Sequence, residues 1–158
     1  MDASVALIVV LTIHVFGAVF GFGPSVAYAI LGPAAGKASP QGGLAIMEAM
    51  IAIEKRLILP WAIAIQPLSG LALIFLAGYN SNFFSHYWLW IAILLYAAAF
   101  YLAILVQTPL LEKMVHIAKA GPPTPEFMAA AKRTKQLGPV ITILLALIVI
   151  LMVSKPGA

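Results

Sequence analysis

Polar side chains are rare in this chain, and four of them fall at one depth. His14, Gln66, Tyr96 and Thr142 each lie within a long apolar run. Each stands about ten to twelve residues from the same end of its run, which at about 1.5 Å per residue is roughly 15–18 Å deep. Helices packed side by side would bring these groups into one buried polar layer. Polar groups are costly in hydrocarbon, so such a layer is the natural place for a ligand, a cofactor or a proton. The four side chains can also bond one another across helices, each bond contributing about 1 kcal/mol or less. The second reading is preferred, because imidazole, carboxamide, phenol and hydroxyl can satisfy one another without a ligand.

His14 is the candidate cofactor ligand, and the cofactor an imidazole in a helix bundle would suit is haem b. Two-histidine ligation needs a partner at equal depth. By helix rise, His86 belongs at the outer surface and His116 near the charged end, roughly 15 Å or more away. A metal centre needs three or four converging ligands, and these histidines are scattered. Glu112 and His116, spaced i and i+4, would present one helix face to a cation together with Glu48 or Glu54; a salt link in a charged stalk is the simpler expectation. The chain lacks a phosphate-cradling glycine loop, a Gly-x-Ser-x-Gly elbow and a His-Glu-x-x-His pair. No catalytic residue and no metal-ligand set is therefore assigned.

The elements that must position these groups follow from composition. Of 158 residues, 63% are hydrophobic and 9% charged, with a mean hydropathy of +1.06. Soluble domains carry about 25% charged residues. A globule of this size has no interior large enough for so much apolar surface, so lipid must be its solvent. The predicted class is all-α: a four-helix antiparallel transmembrane bundle forming a single domain over residues 1–158. The spans are expected at about 4–30, 57–78, 84–106 and 137–153, with amphipathic cytoplasmic extensions of helices two and three at about 44–56 and 107–120. A cleaved signal peptide would explain Ala27-Tyr28-Ala29, but the first run is too long and its only charge is Asp2. Gly32-Pro33, Gly36 and Ser39 to Gly43 read as the first loop. Trp88 and Trp90 read as an interfacial belt. The absence of cysteine excludes disulfides and thiolate metal sites.

Charge placement orients the spans. Of the nine Lys and Arg residues, only Lys155 falls on the side of the termini. Lys37, Lys55, Arg56, Lys113, Lys119, Lys132, Arg133 and Lys135 share the other side, which the positive-inside rule makes cytoplasmic. Both termini are then outside, as an even number of spans requires. The net charge of +4 follows from this bias, and no basic soluble face exists for nucleic acid. Gly17 and Gly21 form a Gly-x-x-x-Gly spacing that permits close helix approach, within the bundle rather than as a dimer seam.

Pro60-x6-Pro67-Leu68-Ser69-Gly70-Leu71 resembles the proline and Gln-Pro-Leu-Thr/Ser-Gly element of domain-of-unknown-function family 2269, predicted bacterial integral membrane proteins. The ending Leu151-Met152-Val153-Ser154-Lys155-Pro156 is similar to that family's Leu-Met-Val-x-Lys-Pro terminus. Arg133-Thr134, Leu137-Gly138-Pro139 and Ile13-His14-Val15-Phe16-Gly17 match in order, whereas Lys135-Gln136 stand where aromatic residues are expected. The resemblance implies a four-helix protein of the bacterial inner membrane and carries no activity with it. More distantly, His14 in a glycine-bearing span is similar to small haem-linked and copper-resistance-type membrane bundles. Three functions remain: an accessory or self-associating subunit of a membrane complex, without enzymatic activity; a haem-linked redox protein using His14; and a small oligomeric transporter or ion pathway. The expected partners are the lipid bilayer and a homo-oligomer or larger membrane complex, with no nucleic acid.

Overall fold

The architecture is described by a computed structural model covering residues 2–157. Four long helices account for nearly all of it: α1 (Ala3–Lys37), α2 (Pro40–Leu76), α3 (Tyr87–Ala120) and α4 (Pro125–Ser154). No strand occurs among the described residues. Each helix is long and apolar enough to cross a bilayer, at mean hydropathies of 1.9 to 2.5 for the first three and 2.8 for α4.

Proline chemistry sets the boundaries. A residue before proline is pushed out of the helical region by the ring, and Ser39 and Thr124 are both extended, with ψ of 159° and 166°. Their hydroxyls then cap the helices that follow, accepting from Gly42 N–H at 3.2 Å and Phe127 N–H at 3.3 Å. The break after α1 is only Ala38 and Ser39, shorter than the loop expected from Gly32-Pro33 and Gly36. Those residues stay helical because the Gly32-Pro33 step lacks the Cβ that collides with a following proline ring. Gly78, at φ 76°, ends α2 in the left-handed region where a side chain is strained.

Prolines inside the helices divide into two kinds. Pro24, Pro33 and Pro139 each follow glycine, and the α-helix runs through them. Pro60, Pro67 and Pro109 follow Leu59, Gln66 and Thr108, and a π-helical segment ends two residues before each: Glu54–Ile58, Trp61–Ile65 and Tyr101–Gln107. Proline offers no N–H and crowds the carbonyl four residues back. Widening the register to i→i+5 relieves that crowding, an adjustment membrane helices tolerate.

Contacts between consecutive helices run in opposite directions. His14 meets Ser69, and Tyr28 meets Met50, so α1 and α2 are antiparallel. Tyr96 meets Ala62 and Thr108 meets Glu54, which gives the same sense to α2 and α3. Lys113 of α3 meets Glu126 of α4 near the turn between them, and Lys155 returns to Tyr79. At the charged end, Tyr28, Met47, Met50, Leu111, Met114, Val115 and Ala130 form one apolar cluster. Ala99, Ile141, Leu145 and Ile148 form a second between α3 and α4. Little of each apolar stretch is covered: 11% of the most apolar window of α1 and of α4 is buried within the chain. The remainder is aliphatic surface whose solvent is lipid.

Trp88 corrects the expectation of an aromatic belt. It is 2% exposed, with Tyr79 edge-on at 5.4 Å and the Lys155 ammonium 5.8 Å from its ring. Residues two apart on a helix point to different sides, so Trp88 turns inward while Trp90 is 36% exposed. The turn after α2 and the end of α4 close over it.

Candidate functional site

Buried positions on α2 form a single stripe at intervals of three or four: Gly43, Met47, Met50, Glu54, Ile58, Ala62, Gln66 and Ser69. Two of the polar ones meet His14. The His14 Nδ1 lies 2.9 Å from Ser69 Oγ, and its Nε2 lies 3.1 Å from Gln66 Nε2. Ser69 donates its hydroxyl hydrogen to its own helix, to the Ile65 carbonyl with a longer contact of 3.3 Å to that of Gln66. Its oxygen must then accept from Nδ1–H, which leaves the Nε2 lone pair to accept from the Gln66 amide. Both ring nitrogens are thus paired with side chains of α2.

Close approach of α1 and α2 makes this possible. Gly17 lies one turn from His14, and a Cβ there would stand 2.5 Å from Gln66 Oε1. That oxygen is buried without a hydrogen-bond partner. It rests against the Gly17 backbone, the close helix–helix contact that small residues allow. Gly21 continues the seam, packed against Trp61 and Ala62. A Cβ on Gly43 would meet the Ala35 carbonyl at 2.6 Å, so the backbones also touch at the charged end.

The other two members of the expected layer are occupied elsewhere. Tyr96 donates to the Ala62 carbonyl. In the π register that carbonyl would be served by residue 67, which is proline and has no N–H. Tyr96 thus supplies from α3 the donor that Pro67 removes from α2. Thr142 bonds the Gly138 carbonyl of its own helix at 3.0 Å. The structure therefore joins His14 and Gln66, adds Ser69, and leaves Tyr96 and Thr142 in separate bonds. Sequence reasoning placed Ser69 in a family motif but not in the layer; its i+3 spacing from Gln66 was the available signal.

In this arrangement His14 is engaged on both sides of its ring. A haem iron would compete with Gln66 for Nε2, and a cavity of about 30 Å³ lined by Gly21, Ala62 and Tyr96 does not include His14. The stalk acids are also engaged: Glu112 with Lys55, Glu48 with Lys119 at 2.6 Å and Glu126 with Lys113 at 3.1 Å. His116 is exposed, and no group of three His, Cys, Asp or Glu residues able to hold a metal occurs among the described residues.

Four apolar helices, a lipid-suited exterior and polar contacts between α1 and α2 define a polytopic integral membrane protein. The chain belongs to the DUF2269 family of predicted integral membrane proteins, whose family model matches residues 8–156. No curated protein and no solved structure matches it.

Proposed function

We propose that this protein is a non-enzymatic subunit that associates with itself or with other membrane proteins in the bacterial inner membrane. The observation that carries this reading is the saturation of His14, whose two ring nitrogens are both taken by side chains of α2. A polar layer bonded in this way holds α1 to α2 and leaves no donor or acceptor of the imidazole for a ligand. The proposed orientation has both termini outside the cytoplasm and the ion-paired ends of α2 and α3 inside, a reading supported by the eight cations on that side.

Two measurements on protein purified in mild detergent test this. Native mass spectrometry is expected to give an oligomer or a complex with a second membrane protein. A clean monomer without a partner would defeat the reading. Visible absorption is expected to be flat in the purified protein, and again after incubation with haem and removal of the unbound pigment. A Soret band that disappears in His14→Ala would replace the subunit reading with a haem-linked one.

A further inference from the structure

Among the buried residues one carries an ionisable carboxyl. Glu54 is 7% exposed, as buried as Gln66 and Ser69. It stands at the charged end of α2, three residues before the apolar span that begins at Leu57, and opens the first π-helical segment. Sequence reasoning placed it in the charged stalk, where Glu48, Glu112 and Glu126 all have cationic partners. Glu54 has none among the described residues.

The groups around it explain why. From α3, the Thr108 hydroxyl lies 3.3 Å from its Oε1 and 3.0 Å from the Ala103 carbonyl, so one proton serves two acceptors. From α1, Tyr28 stands beside the carboxyl while its hydroxyl donates to the Met50 carbonyl at 2.7 Å. On α2 itself, Lys55 turns to Glu112 and Arg56 is exposed. Lys113 and Lys119 of α3 are held by Glu126 and Glu48. On α4, Lys132, Arg133 and Lys135 are exposed. No described ammonium or guanidinium lies within 4.0 Å of the Glu54 carboxyl. One turn inward, Ile58 lines a partly open cavity of about 30 Å³, together with Ser25, Ala62 and Tyr96. That is room for about one or two waters.

We propose that Glu54 is a proton-binding site: a neutral carboxylic acid in the closed bundle, one helical turn from the cavity that Ile58 lines. An ionised carboxylate removed from water without a cation is strongly disfavoured, and the group takes a proton instead. Burial raises its pKa above the ordinary carboxylate range, and the Thr108 and Tyr28 hydroxyls draw it only part of the way back. The acid hydrogen is lost only if α1 and α3 part to admit water or a cation to the carboxylate left behind. The site therefore couples proton occupancy to helix packing, whether or not the protein works as a subunit.

Dicyclohexylcarbodiimide is the probe, because it partitions into lipid and reacts with protonated carboxyls. The carboxyl oxygen bonds the central carbodiimide carbon as the acid proton moves to a nitrogen. An O-to-N acyl shift then leaves a stable N-acylurea, with no group lost. Full-length protein in nanodiscs is treated at about pH 7, where an ordinary carboxyl of pKa about 4.3 is almost wholly ionised. Peptide mass spectrometry is expected to place the adduct on Glu54, more than about tenfold over Glu48, Glu112 or Glu126, and to show it falling as the pH is raised. Infrared spectroscopy should show a protonated carboxylic C=O band that Glu54→Gln removes. An adduct spread over the surface acids or missing from Glu54 overturns the proposal, as does a C=O band that is absent or that survives in Glu54→Gln.

Discussion

At the scale of single residues, the cost of an unsatisfied polar group in hydrocarbon organises the interior. His14, Gln66 and Ser69 form a chain in which each donor has an acceptor, and the chain crosses from α1 to α2. Interhelical hydrogen bonds of this kind average about 0.6 kcal/mol and reach about 1.7. His14→Ala and Gln66→Ala should therefore each destabilise the protein, and the double variant should lose less than their sum, with a coupling of about 0.6–1.7 kcal/mol. Reversible unfolding in mixed micelles measures it. Additivity of the two changes within about 0.3 kcal/mol would mean that the bond holds nothing.

At the scale of the helix, the residue before each proline decides how the turn continues. Glycine leaves room for the ring, so α1 and α4 pass Pro24, Pro33 and Pro139 as α-helix. A side chain removes that room, and α2 and α3 widen to π register ahead of Pro60, Pro67 and Pro109. Gly23 isolates the effect, because a Cβ there would meet nothing outside its own turn within 4 Å. In an ordinary helix, replacing glycine by alanine stabilises by about 0.8–1.0 kcal/mol. Gly23→Ala is expected to be neutral or destabilising instead, because the new methyl faces the Pro24 ring. A gain near the ordinary value, read from the same unfolding assay, would show that glycine has no such role.

At the scale of the whole molecule, ion pairs and aromatic contacts close the two ends of the bundle. The pairs Lys55–Glu112, Lys119–Glu48 and Lys113–Glu126 join α2, α3 and α4 at one end, each contributing about 0–1 kcal/mol while exposed to water. At the other end, Lys155 lies over Tyr79 and Trp88, so the end of α4 is held to the turn between α2 and α3. The absence of cysteine makes orientation directly measurable. Single cysteines at Asp2 and Gly157 should react with an impermeant maleimide applied outside intact cells. A cysteine at Lys37 or Gly121 should react only after the membrane is opened. Labelling of residues 2 and 157 from opposite sides would overturn the orientation and the even number of crossings.

The sequence by itself determined the solvent and the helix count, and held the steric signals for the breaks. Those are sums over local runs: 63% apolar residues fix the phase, and Ser39-Pro40 and Thr124-Pro125 stop helices by sterics within two residues. Depth is also local, which is why His14 and Gln66 could be matched by counting along the chain. Which face a residue occupies is not local. It depends on the rotation of each helix about its axis, and every π-helical segment shifts that rotation for all that follows. Only the tertiary structure could send Tyr96 to the Ala62 carbonyl, Thr142 to its own helix and Trp88 inward. The same rotation buried Glu54 apart from every cation on its side of the membrane.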